Sequence, residues 1–476
     1  MKTIFSFLGI LFVLVSTTLT AQINQKNRVV ILSDIEADPD DTQSFVRLFL
    51  YSNSIDIKGI VATTSCWMQT RIAPQSIHKI INAYGKIQPN LLQHEAGFPD
   101  EVTLSNLVYS GLPLYGMKGV GEGKDSPGSE LIIKELEAKD NRPLWVSVWG
   151  GANTLAQALY KIEKTKSKEE LKKLIAKLRV YTISDQDDSG VWMRNHFPDL
   201  FYIVSPGDDY GSATWSGINS FIKGINNETI SNSWIAKNIQ VGHGPLGSVY
   251  PDVAWGVEGD TPSFMNLIPN GLSNPEHPEW GGWGGRYELS KPDLKTIKKG
   301  SSIVKLEQEV RIIWTDTKDK YSPYKFNEYG RAIKRDSISF QDQKTTLWRW
   351  RDDFQNDFAA RMDWCTKLYK EANHPPVPVL SQAEEITVKS GQGFDLDASN
   401  STDPDGDNLS FLWFHYPEAG TYSKEIVPSP ENTWSVYVTA PVVDKKETIH
   451  FILKVTDKNS PPLSRYKRII VNVLPK

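Results

Sequence analysis

The segment Arg28-Val-Val-Ile-Leu-Ser33 constrains the fold most, because an unbroken apolar run stops abruptly in Asp34-Ile-Glu36-Ala-Asp38-Pro-Asp40-Asp41. A strand with no polar alternation is buried on both faces, the habit of a central parallel strand. The acidic turn then opens a helix that carries Phe45, Val46, Leu48 and Phe49 inward. The same alternation recurs downstream. Residues 55–63 read as a strand followed by a helix with Ile77, Ile80 and Ile81, and residues 144–148 as a strand running into Trp149-Gly150-Gly151 and a helix over 154–162. Residues 179–184 form another strand, ending in Asp185-Gln186-Asp187-Asp188. This pattern predicts an α/β fold with an open, mostly parallel sheet and flanking helices. Ligands of such sheets bind beyond the carboxyl ends of the strands, where every acidic cluster named so far falls.

At 476 residues the chain is too long for one ordinary core and predicts a large and a small domain. Residues 1–21 read as a secretory signal: a basic tip, an apolar run over 4–15, and cleavage after Ala21. No second long apolar segment follows, so a secreted or periplasmic protein without membrane insertion is expected. The α/β domain spans 22–373, within which 205–300 is rich in Gly, Pro, Trp and Ser and reads as loop material. A proline-rich linker covers 374–379. Short alternating runs from 380 to 476 predict an all-β, immunoglobulin-like sandwich with Trp413 in its core. A formal net charge of −4 gives no reason to expect a nucleic-acid partner. Cys66 and Cys365 lie far apart in sequence and read as buried free thiols or as a pair.

Five carboxylates within residues 34–41 repel one another unless a cation neutralises them or some keep their protons. Carboxylate oxygens with no neighbouring His or Cys suit Ca²⁺ or Mg²⁺ rather than zinc. In the C-terminal module Asp403, Asp405 and Asp407 alternate as calcium-loop acids do, without the full EF-hand loop. That segment reads equally as a second calcium site or as a polar turn.

The first cluster resembles the nucleoside hydrolase signature D-x-D-P-G-x-D-D, with Asp34 on the first Asp, Glu36 on the second, and Asp40-Asp41 on the closing pair. The sequence departs from the signature at Glu36, and Ala37-Asp38 stands where the family has Pro-Gly. The resemblance implies a calcium ion held by Glu36, Asp41, the main-chain carbonyl of Trp149 and Asp357, the last from Asn356-Asp357 on a late helix. It implies that Glu36 activates the attacking water, with Asp40 and Asp34 as alternatives. The family's histidine beside the late Asp is Asn356 here, so leaving-group protonation by that route is absent. A secreted branch described as cellulose-binding and Sde182-like, with a nucleoside hydrolase-like domain and a C-terminal β-domain, is the nearer resemblance. It rests on SDIEADPDDTQSFVR, SVWGGANTLAQAL, VYTISDQDDSG, EGDTPSF and NDFAARMDW.

Asp185, Asp187, Asp188, Glu258 and Asp260 are candidates for sugar hydroxyl contacts or a general acid. Among 15 tryptophans, the Trp280-Gly-Gly-Trp283 pair is the candidate carbohydrate platform, with Trp283 the chosen contact. The expected function is an exported, calcium-dependent glycosidase-like hydrolase acting on an extracellular carbohydrate or nucleoside-like glycoside. The alternative is a non-catalytic carbohydrate-binding protein on the same fold. Oligomeric state is left open.

Overall fold

In the computed structural model the residues described are 25–207, 210–293, 309–328 and 330–476, so the leader expected over 1–21 lies outside them. Eight strands make the main sheet: β1 (Asn27–Ser33), β2 (Ile55–Ala62), β3 (Val108–Ser110), β4 (Leu144–Val148), β5 (Leu178–Thr182), β6 (Phe201–Val204), β7 (Tyr287–Ser290) and β8 (Ile313–Asp316). Their order is β3-β2-β1-β4-β5-β6-β8-β7, parallel throughout except for the final antiparallel pair. The open α/β sheet expected from the sequence is therefore present. β7 is a correction, because it lies in the stretch read as loop and extends the sheet edge.

β1 is central, hydrogen-bonded to β2 on one side and β4 on the other. Its period-2 alternation sends Val29 and Ile31 into one core and Val30 and Leu32 into the other. Helix α1 (Asp40–Leu50) lays Phe45 and Phe49 into the first core, where Trp149 also packs. The helix Asn153–Thr165 lays Leu155 and Leu159 into the second. Burial on both faces is why β1 carries no polar residue between Val29 and Leu32.

Short strands β9 (Asp319–Tyr321), β10 (Tyr324–Phe326), β11 (Ala332–Arg335) and β12 (Phe340–Asp342) precede the late helix Arg351–Asp363. The C-terminal strands are β13 (Glu385–Lys389), β14 (Gly393–Asp397), β15 (Leu409–His415), β16 (Ser435–Thr439), β17 (Glu447–Asp457) and β18 (Ser464–Leu474). They form a β13-β18-β17-β15 sheet and a β14-β16 pair around a core that holds the fully buried Trp413. This is the expected β-sandwich. It is tied to the late helix through Asp353, which accepts from Lys454 and Tyr466, and through Asp357, which accepts from Arg465. Cys66 and Cys365 are both buried and free.

Candidate functional site

The strand order reverses between β1 and β4, and an open sheet leaves a crevice beyond the carboxyl ends of the two strands at such a point. β1 delivers Asp34 to it. A turn closed by Ala37 N–H donating to the Asp34 carbonyl (3.0 Å) follows, with Glu36 in its third position at φ 82°. Asp38 then accepts from the Asp40 N–H (3.0 Å), and α1 begins. Oxygens of Asp38, Asp40 and Asp41 all lie within 4.8 Å of one another. Asp41 accepts from the Ser33 hydroxyl.

Two glycines let other chain segments close on these acids. A Cβ at Gly150, after β4, would sit 2.5 Å from Asp34 Oδ1, and one at Gly259 would sit 2.5 Å from Asp40 Oδ2. Gly259 brings in its neighbour Asp260, more than 200 residues downstream in the sequence. Asp260 is buried, and its Oδ2 has no hydrogen-bond partner.

The result is a bowl of five acids: Asp34, Asp38, Asp40, Asp41 and Asp260. Burial, reinforced by Asp38, pushes Asp34 up to about 6 against the opposing Ser65 hydroxyl. Burial and then the surrounding carboxylates push Asp40, Asp41 and Asp260 well above the usual carboxylate range. Among the described residues no Lys, Arg or His forms an ion pair with any of the five. Such a group either retains protons or receives a cation. The donors are all hard oxygens and one buried oxygen is orphaned, so the residues fit a Ca²⁺ or Mg²⁺ ion.

Aromatic rings rim the bowl. Trp215 Cζ3 would lie 3.3 Å from a Cβ at Gly259, the same point that abuts Asp40. Tyr210 packs against Trp215 at 5.5 Å between ring centroids and edge-on to the half-exposed Trp67 at 6.4 Å. Ser184 Oγ and Gln186 Oε1, on the loop after β5, are buried without partners.

The other expected site residues divide sharply. Glu36 turns away from the bowl to Arg71 and Ser76, and these two partners hold its carboxyl below the usual range. The left-handed turn position explains this, since it reverses the side-chain direction relative to Asp34 and Asp38. Asp357 is also not brought in. Tyr51, at the opposite end of α1 from Asp41, donates to it at 2.6 Å, and one helix end lies about 15 Å from the other at 1.5 Å per residue. Burial acts to raise Asp357, but Arg465 and Arg361 hold it below the usual range as a structural anion. Trp149 keeps its place at the end of β4, with its carbonyl accepting from the Gln186 amide at 2.6 Å.

Asp185 forms a two-pronged pair with Arg194 (2.9 and 2.8 Å) inside the fold. Asp187 is raised to about 6 by burial and accepts from the N–H groups of Ser189 and Asn153. Asp188 is exposed and accepts from Met117 N–H (2.8 Å). Glu258 is fully buried against Arg47, and Trp283 is fully buried beside Phe354 and Tyr466, so neither meets a ligand. Positive φ at Gly281 (73°) and Gly285 (90°) folds that glycine-rich loop so that Trp283 points inward. Trp280, half-buried, stacks on His277 at 4.0 Å.

Sequence reasoning missed Asp38 as a bowl member, because the signature alignment sets it against a glycine. Its signal was the Asp-Pro-Asp-Asp start of a helix, where the first Asp caps the turn. The second acidic group, Asp403, Asp405 and Asp407, also clusters within 4.8 Å; Asp403 Oδ1, Asp405 and Asp407 accept from His374, Asn459 and local N–H groups, while the buried Asp403 Oδ2 has no partner.

Residues 28–287 match the family described as cellulose-binding Sde182, nucleoside hydrolase-like domain, and residues 393–473 match the cellulose-binding protein Sde0182 C-terminal domain. Among solved structures the chain is similar to a nucleoside hydrolase-related hypothetical protein from Saccharophagus degradans that is associated with carbohydrate metabolism. The two share 35% identity with a TM-score of 0.79, over 94% of this chain and 100% of that one. An effector protein, at 8% identity and TM-score 0.30 over 61% of this chain and 88% of its own, is too distant to inform the fold. No curated protein matches.

Proposed function

The chain belongs to the cellulose-binding Sde182 family with a nucleoside hydrolase-like domain, and from that premise we propose an exported, calcium-dependent protein that binds a β-glucan type of carbohydrate in the acidic bowl and hydrolyses a glycosyl bond there. The observation that carries this reading is the cluster of Asp38, Asp40 and Asp41 oxygens, with Asp34 and Asp260 buried beside it and no cationic partner among the described residues, at the switch point of the sheet. Asp38, Asp40, Asp41 and Asp260 would hold the ion, with the Trp149 carbonyl beside them. An ion held there would supply a site for sugar hydroxyls and would modestly acidify a water.

The chain's own groups do the rest. Asp34 or Asp40 would accept a proton from water, and the net negative bowl would favour the positive charge that develops on a sugar ring during glycosyl cleavage. Trp67, Tyr210 and Trp215 offer faces for C–H stacking and keep bulk water out. No described helix is long and apolar enough to cross a membrane.

One observation favours the second reading, a binding protein without turnover. The histidine that the family places beside its late Asp is Asn356 here, and among the described residues no histidine hydrogen-bonds to the bowl. Incubating the protein with cellulose, cellooligosaccharides and nucleosides, in calcium and in chelator, separates the two. Calcium-dependent release of reducing sugar is expected. Retained cellulose binding with no release selects the binding protein, and loss of both sinks the bowl as a carbohydrate site.

A further inference from the structure

Beyond the bowl, the carboxyl ends of β6 and β8 enclose a cavity of about 560 Å³, within the roughly 300–1,000 Å³ typical of small-molecule sites. Tyr210 and Trp215 line it. These are the rings that wall the bowl, so bowl and cavity are neighbours across one aromatic partition. We propose that this cavity is a second sugar subsite, that the ligand is a neutral oligosaccharide laid across the Tyr210–Trp215 partition, and that Asp316 and Gln343 bind its hydroxyls. This inference rests on the reading that the bowl takes a sugar.

The chemistry of the lining matches that class. Asp316 ends β8, and its Oδ1 accepts from Ser205 Oγ (2.7 Å) and Thr214 N–H (3.2 Å), which fixes the carboxylate toward the cavity it lines. Thr315, Lys318 and the Gln343 amide add donors and acceptors. Lys291 and Lys318 stand against Asp293, Asp316 and Asp342, so an anionic ligand is not favoured. Trp215 is only 8% exposed, and its indole N–H has no partner. A buried donor left unpaired is costly unless a ligand atom meets it. Aromatic faces beside spaced hydroxyl-binding groups are what a pyranose requires, since its ring faces are apolar and its rim is polar.

Titration calorimetry of the full chain in saturating calcium, with glucose, cellobiose and cellotetraose, tests this. Affinity is expected to rise at least about tenfold from cellobiose to cellotetraose, about 1.4 kcal/mol. Gln343→Ala, at a half-buried position on the cavity wall, and Asp316→Asn are each expected to erase most of that gain. Equal affinity for all lengths overturns the subsite and leaves the bowl intact, and so does a gain that survives both substitutions. Absence of binding at every length overturns the bowl as a sugar site and this inference with it.

Discussion

Calcium added to the metal-free protein is expected to raise its melting temperature at pH 7.5, and Asp41→Asn to abolish that rise. A ligand that binds only the folded state stabilises it by about 2.7 kcal/mol at one hundred times its dissociation constant. The sign of the pH dependence follows from the raised carboxyl groups. Asp34 sits at about 6 in the fold against 3.8 as a free side chain, so folding favours its protonated form. Its contribution to metal-free stability is present below pH 3.8 and is lost as pH rises through about 6. Asp40, Asp41 and Asp260 shift in the same direction. Calcium competes with those protons, so its stabilising effect is large at pH 7.5 and small at pH 5. Asparagine at 41 still accepts from the Ser33 hydroxyl, while one unit of like charge is removed. The metal-free variant is therefore at least as stable as the parent at pH 7.5. Differential scanning calorimetry with and without calcium at both pH values checks this, and an equal response in the variant would contradict it.

The second large effect lies behind the bowl. Arg47→Met destabilises the protein by about 3–5 kcal/mol, because it strands the charge of Glu258 in the interior. Both side chains are fully buried, and Arg47 also donates to the Phe354 carbonyl and to Gln355. Glu258 is held in the left-handed region (φ 51°) by this pair, by Tyr250 (2.7 Å) and by its own N–H on Gln43 (2.8 Å). Gln43 and Arg47 both belong to α1, which clamps the Glu258-Gly259-Asp260 loop to the helix that carries Asp40 and Asp41. Calcium affinity should fall together with stability, since Asp260 loses its anchor. Urea unfolding and calcium titration of the same variant measure the two effects. A stability change within about 1 kcal/mol would mean that the buried pair is not the latch.

Much of this arrangement was legible in the sequence because it is local. An apolar strand, an acidic turn and an amphipathic helix follow one another between residues 28 and 50, and periodicity alone places Asp34, Asp40 and Asp41 at a strand's carboxyl end. Trp149-Gly150-Gly151 could be placed for the same reason. The errors arise where side-chain direction or long-range contact decides. Glu36 and Asp38 differ by two positions, and only the positive φ of the turn sends one to Arg71 and leaves the other in the bowl. Asp357, expected as a metal ligand, and Asp260, expected as a sugar contact, both lie in short motifs, and which of them joins the bowl depends on which end of α1 each segment packs against. Trp283 looks exposed among glycines, yet the same glycines supply the backbone freedom that buries it.

A crystal structure of the protein grown with calcium bears most directly on the shared cation. The account predicts one ion with oxygens of Asp38, Asp40, Asp41 and Asp260 at about 2.3–2.6 Å. An ion held instead by Glu36 or Asp357, or a bowl with no ion at saturating calcium, would contradict it.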